Sequence, residues 1–300
     1  MKIPIYSQVK SAYTQHRQFM TTFQSLTSRV DGDYAHRLIS LMIEEYLDRN
    51  LFQAEKYADP KRISRAEYQV FSQSGEDGLI DEIFRRIGTT NQFFVEFGVE
   101  DGLETNTTNL LVKGWNGAWI EGSPTLAMAI RRNYESMISA NRLNVQSAFI
   151  TAENIQSLLK AANVPAELDL LSIDIDGNDY WVWKAITDYR PRVVVIEYNA
   201  TFRYDTEFIQ SYDPKRLWNR TSYYGVSLKS LELLGRSKGY SLVGCNFIGS
   251  NAFFVRDDIR GEKFMAPYTA ETHYEPPRYW IWRKVGHPRG FGPFTVDRPS

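Results

Sequence analysis

The stretch Gln92-Phe-Phe-Val-Glu-Phe-Gly-Val-Glu-Asp-Gly102 constrains this chain more than any other. Phe93–Phe97 is an apolar, β-branched and aromatic run of the length that a fully buried parallel strand needs, and Gly98 and Gly102 punctuate the residues after it. Thr105-Asn-Thr-Thr-Asn109 then offers a row of helix N-caps before Leu110-Leu-Val-Lys-Gly114. The unit reads as strand, glycine loop and short helix. In an open α/β sheet such a loop lies at the carboxyl end of a strand, where ligands bind. The plainer alternative is a glycine turn in an ordinary sheet, with its acids solvated.

Charge narrows the ligand. A dinucleotide loop carries Gly-x-Gly-x-x-Gly and a helix N-terminus open to a pyrophosphate; here the spacing is Gly-x-x-x-Gly, and the segment carries Glu96, Glu100, Asp101 and Glu104. Four carboxylates repel a diphosphate and welcome a cation. A ligand with ammonium and sulfonium centres, S-adenosylmethionine (SAM), therefore fits better than NAD or ATP. The chain as a whole is nearly neutral, with a net charge of −1 over 300 residues and 43% hydrophobic content. Such a composition suits one generous α/β domain with decorations and supplies no general field for nucleic acid. The single Cys245 excludes an internal disulfide and a cysteine-based zinc site; within an apolar run it reads as an inert core thiol. No apolar run approaches a membrane span, and the first residues lack the apolar core of a signal peptide, so the expected compartment is the cytoplasm.

Taken in order, residues 7–50 show helical periodicity. Phe19, Phe23 and Leu26 mark one apolar face and Leu38, Leu41, Ile43 and Tyr46 another, with a break at Asp31-Gly-Asp33. The polar stretch through Ala58-Asp-Pro-Lys61 reads as a linker. The chain thus divides into a helical extension over 1–66, a main domain over 67–258 and an irregular arm over 259–300, with packing between copies of the chain as one use for the extension or arm. In the segment from Ser72 to Gly78, Ser72 or Ser74 caps the helix beginning near Glu76, and Gln73 and Glu76 are candidates for ligand contact. Gly117-Ala-Trp-Ile-Glu-Gly-Ser123 is a short strand ending in Glu121, where an acid can accept both hydroxyls of a ribose.

The second informative run is Leu168-Asp-Leu-Leu-Ser-Ile-Asp-Ile-Asp-Gly-Asn-Asp-Tyr180. Its strand ends at Ile173 and presents Asp174, Asp176 and Asp179 around Gly177. The next strand, Arg192-Val-Val-Val-Ile-Glu-Tyr-Asn199, ends with Glu197 and Asn199. Adjacent parallel strands end at one sheet edge, so Asp174, Glu197 and Asn199 could converge as hard oxygen ligands for Mg²⁺. Without a metal, the same acids would hold an amine, cap helices or orient a substrate. Residues 201–224 are rich in Tyr, Phe, Trp and Arg without clean periodicity, as a substrate lid is, and Arg203, Tyr204 and Tyr223 are candidates to meet an acceptor. Ser227-Leu-Lys-Ser-Leu-Glu-Leu-Leu-Gly235 reads as a helix closed by its glycine, and the runs around 240–244 and 252–255 as an antiparallel strand pair. The aromatic tail carries His273 and His287; His273 is a candidate base.

Five motifs in order, Ser72-Gln73-x-Gly75-Glu76-Asp77, Val95-Glu96-Phe97-Gly98, Trp119-Ile-Glu121-Gly-Ser-Pro124, Leu171-Ser-Ile-Asp174-Ile-Asp176-Gly177 and Val195-Ile-Glu197-Tyr, resemble the FkbM-like branch of the class I SAM-dependent methyltransferases. The resemblance covers residues 68–256 and extends to Gly239-Tyr-Ser-Leu-Val and Ser250-Asn-Ala-Phe-Phe-Val255. It implies a Rossmann-like α/β fold, a seven-stranded sheet whose last strand is antiparallel, and methyl transfer to oxygen on a sugar, glycan or natural-product acceptor. Glu96 and Gly98 would hold the methionine end of SAM, with Asp101, Gly102 and Asn106 of the same loop. Glu121 would take the ribose beside Gly122 and Ser123, the turn at Ala148-Phe149 the adenine, and Asp174 the edge facing the acceptor. The chain departs from the family pattern at Val99-Glu-Asp101, where small neutral residues are usual, and at Asp176, where Glu is. Mg²⁺, if held, would acidify the acceptor hydroxyl; otherwise Asp174 or Asp176 is the base. The alternatives are a Rossmann-type oxidoreductase or nucleotide-sugar enzyme, and a SAM-fold binding module without catalysis.

Overall fold

The computed structural model describes residues 32–281 and 289–294, and the chain divides into two compact units, 1–54 and 55–300. In the first unit, helix α1 (Gly32–Leu47) leads into a π-helical turn, Asp48–Phe52. Ile43 is buried, whereas Leu38 and Leu41 are exposed, so the expected second apolar face is not one buried stripe. The expected helix with Phe19, Phe23 and Leu26 lies outside the described residues, as does His287. No helix among the described residues is long and apolar enough to cross a membrane.

The second unit is built on a seven-stranded sheet. In chain order its elements are α2 (Glu76–Ile87), β1 (Phe93–Phe97), α3 (Thr108–Val112), β2 (Asn116–Glu121), α4 (Pro124–Asn133), α5 (Glu135–Ser139), β3 (Leu143–Ser147), α6 (Ile155–Ala161), β4 (Leu170–Ile173), α7 (Asp179–Ala185), β5 (Val193–Glu197), α8 (Leu228–Ser237), β6 (Tyr240–Cys245), β7 (Asn251–Arg256), α9 (Asp257–Arg260) and α10 (Ala270–His273). The strand order is β3-β2-β1-β4-β5-β7-β6. Strands β1 to β5 run parallel, and β7 is inserted antiparallel between β5 and β6. This is the class I methyltransferase arrangement expected from the sequence, with its last strand reversed. The order changes direction between β1 and β4, which opens a crevice at the carboxyl edge.

Burial on both faces explains the strand sequences. Val95, Phe97, Leu171, Ile173, Val194 and Ile196 pack into one apolar layer with α6, α7 and α8. Phe94, Trp119, Leu170, Val193 and Val195 alternate into the opposite layer with α2 and α4. The central strands have no solvent face, so they read as continuous apolar runs.

Two local expectations change. Helix α2 is capped at Gly75, not by a serine side chain. Asp77 instead folds back so that its Oδ2 accepts the backbone N–H of Val70, Phe71 and Ser72. Gly235 does not end α8, which continues to Ser237; a Cβ at Gly235 would lie 2.8 Å from the Phe254 ring, so the glycine admits the helix against β7. The stretch read as a linker is exposed from Ala58 to Lys61, while the residues that flank it, Tyr57 and Ile63, are buried, and the Tyr57 hydroxyl donates to Glu275 at 2.8 Å. Cys245 is buried with its thiol pKa raised by loss of water, in keeping with a core thiol.

Candidate active site

The carboxyl edge places the sequence candidates in a row. Gly98 ends β1 with φ +69°, and a Cβ there would lie 1.7 Å from the backbone oxygen of Asp174. Only glycine lets the first loop cross the end of β4 this closely. Glu100 and Asp176 also take left-handed conformations, φ 51° and 57°, and strain of this kind gathers at functional sites.

On the β2–β3 side, Glu121 caps the loops around it. Its Oε2 accepts the N–H of Glu100 at 2.9 Å and its Oε1 that of Ser123 at 2.7 Å. Each oxygen keeps a second lone pair for a ligand. Ala148 donates its N–H to the Glu121 carbonyl at 2.9 Å, and Phe149, a residue 43% exposed, lies with its ring beside Gly122. Glu121, Gly122, Ser123, Ala148 and Phe149 are thus brought together. Ser123 also caps α4 by accepting from Leu126 N–H.

The acidic loop is less acidic toward solvent than its sequence implies. Glu96 is buried and points into the body: its carboxylate accepts Asn106 N–H at 2.9 Å and the Thr107 hydroxyl at 2.5 Å, with Ser172 Oγ 3.3 Å away. Burial pushes its pKa up to about 7 against these donors. Asn106 lies beside it, with its amide on Ser172 Oγ. Glu104 is paired with Arg289 at 2.8 Å. Of the four loop carboxylates, Glu100 and Asp101 remain, and Asp101 also accepts the N–H of Leu103. Desolvation followed by the charges of Asp101, Glu104, Asp176 and Glu121 raises the Glu100 pKa. The negative field therefore comes from several strand ends, not from one loop. Glu76 too is engaged: buried, it accepts Ser74 N–H and the amides of Asn246 and Asn251. Gln73 sits half-buried in the same turn.

Beyond β4 and β5, Asp174, Asp176 and Glu197 each offer a carboxylate oxygen within 4.8 Å of the others. Among the described residues no side-chain hydrogen bond holds these three carboxylates. Burial, then the charges of Asp179 and Asp176, drives the Asp174 pKa well up; burial and Asp174 do the same to Glu197. Partial loss of water raises Asp176. Asp179 is the exception, since its two oxygens accept the N–H groups of Ile175 and Gly177 at 2.9 Å and so shape the turn that presents the others. Asn199 is not in the cluster. Its amide donates to the carbonyls of Ser222 and Tyr224 and accepts from Thr201, because the chain turns after Glu197 and uses Asn199 to pin the aromatic segment. Asp176 takes the place expected for it.

His273 is not brought to these acids either. It is buried, its Nε2 lies 3.1 Å from Met265 O, and burial together with Arg62 drives its pKa down to about 3. Arg203 and Tyr204 lie together, Tyr204 packed edge-on against Tyr274, and Tyr223 packs on Phe208. Two residues passed over in the sequence stand nearer. Tyr224 and Tyr279 share a hydroxyl contact of 3.2 Å, and the charge of Glu197 helps raise both phenol pKa values after burial itself. Trp218, 48% exposed, packs edge-on against Tyr224. No period marks these rings within an irregular segment, so only their aromatic content was readable.

No family model matches the sequence, and no curated protein does. Among solved structures, the chain is similar to an O-methyltransferase from Bacillus cereus in complex with SAH (S-adenosylhomocysteine), at 16% identity over 71% of this chain and 95% of that one, with a TM-score of 0.40. It is also similar to a SAM-dependent methyltransferase from Clostridium acetobutylicum, at 11% identity over 72% and 98% of the two chains, with a TM-score of 0.38. The fold assignment rests on the chain's own strand order.

Proposed function

We propose that this protein is a SAM-dependent O-methyltransferase, related to the FkbM-like branch, that acts on a hydroxyl of a sugar, glycan or natural-product acceptor. One observation carries the reading: a methyltransferase-type strand order whose carboxyl edge sets Phe149, Glu121, the Gly98 loop and an unneutralised acid cluster side by side. The donor set suits SAM. An exposed ring beside Gly122 offers a face for adenine, Glu121 can accept ribose hydroxyls, and Glu100 and Asp101 with the β4 acids favour a cationic end.

SAM, when bound, supplies an electrophilic methyl group on a sulfonium. The chain's own part is to hold the acceptor oxygen in line and remove its proton. Asp174 is the proposed base, since it stands at the end of β4 within the acid cluster and no side-chain hydrogen bond among the described residues engages its carboxylate. Tyr224, Tyr279 and Trp218 would form the acceptor wall, because aromatic faces and hydroxyls suit a neutral polyol and the acids disfavour an anion. The same three carboxylates, Asp174, Asp176 and Glu197, are a hard oxygen set for Mg²⁺, which would lower the acceptor's pKa. The test is Asp174→Ala with S-adenosylhomocysteine titration and a methyl-transfer assay over candidate sugars. Retained binding with turnover lost supports the assignment, and full turnover sinks it.

A further inference from the structure

We infer that Arg289 and Phe291, at the end of the described chain, are positioning residues for the cofactor loop 98–107. This rests on the SAM reading above. The Arg289 guanidinium bridges two segments far apart in sequence: one N–H donates to Glu104 Oε2 at 2.8 Å and another to the Ser72 carbonyl at 2.7 Å. The first segment carries Asp101, Gly102 and Asn106; the second leads into Gln73 and Glu76. With side chains 12% and 18% exposed, the Arg289–Glu104 pair is largely withdrawn from water, where a charge-assisted bond counts for more than on an open surface.

Phe291 makes a second connection. Its ring stacks on Tyr134 with centroids 4.2 Å apart, and it also approaches Phe71 at 6.4 Å. Tyr134 in turn donates its hydroxyl to the Gly102 carbonyl at 2.5 Å and meets Trp119 edge-on. The path from Phe291 through Tyr134 reaches the loop at Gly102, while Arg289 reaches it at Glu104. The arm thus fixes the loop from its outer side at two points, and Arg289 also neutralises one of the loop's acids. Glu96 fixes the inner side independently, through Asn106 and Thr107.

The test compares wild type, Arg289→Ala, Arg289→Lys and Phe291→Leu by calorimetric titration with S-adenosylhomocysteine, by amide deuterium exchange and by thermal melting. Arg289→Ala should weaken binding by roughly tenfold, the scale of one lost charge-assisted bond. Exchange should quicken within 98–107 and 70–76 while the melting temperature barely moves. Arg289→Lys, which keeps the charge but not the fork, should recover part of the affinity, and Phe291→Leu should show a smaller loss confined to the Gly102 side. If wild type binds and all three variants bind as tightly with unchanged exchange, the inference falls alone. If wild type itself takes up no S-adenosylhomocysteine, the cofactor reading falls and the positioning role with it.

Discussion

The two ends of strands β4 and β5 are opposites. At the amino end, Asp169 and Arg192 form a buried ion pair at 2.7 Å. Asp169 also accepts the N–H groups of Thr90, Asn91 and Gln92, and Arg192 donates to the carbonyls of Ile87 and Gly88 at the end of α2. At the carboxyl end of the same strands stand Asp174 and Glu197, two like charges with Asp176 beside them. One end closes its electrostatics within the protein and the other leaves them open. A fold tolerates the second kind of end at a cost in stability, and a ligand, proton or cation must complete it.

The contrast can be broken experimentally. The largest effect expected is on turnover: Asp174→Ala should lower methyl transfer by about 10²–10⁴-fold, the usual weight of a positioned base, with the fold intact. At the other end, Arg192→Ala leaves Asp169 buried without its partner and should destabilise the protein by about 3–5 kcal/mol in denaturant melts. Mutations at the two ends would thus separate activity from stability; equal stability losses would contradict the contrast.

Glu96 gives the next effect. Its folded pKa of about 7 lies above the ordinary 4.5, so the native state holds that proton more tightly than the unfolded chain. Stability should therefore fall as pH rises from 4.5 to 7, by about 3 kcal/mol at 1.36 kcal/mol per unit. Melting temperatures of wild type and Glu96→Gln across pH 5 to 8 check this, and the wild-type slope should be the steeper. The raised pKa values of Asp174 and Glu197 have the same sign. Glu197→Gln should leave stability at pH 8 unchanged or raise it by about 1 kcal/mol or less in denaturant melts. Mg²⁺ should stabilise wild type more at pH 8 than at pH 5, and an equal response at both would count against the cation reading.

Much of this edge was legible in the sequence. Buried strands on both faces forced apolar runs that named β1, β4 and β5, and their terminal acids named Asp174 and Glu197. Orientation was not legible. Glu96 reads as a loop acid but alternates into the core, where Asn106 and Thr107, just ahead of α3, claim it, and Asn199 reads as a ligand but serves the chain's own turn. Gly235 looked like a helix stop because a packing demand from Phe254 leaves the same residue as a cap does. Arg289, Tyr224 and Tyr279 act through contacts between segments far apart in sequence, which no local pattern encodes.

The central claim is that this edge binds SAM beside an open acid cluster, and calorimetric titration of wild type and Asp174→Asn with S-adenosylhomocysteine tests it most directly. Micromolar binding by both, with turnover present only in wild type, is the expected result. No binding by wild type, with or without Mg²⁺, would contradict it.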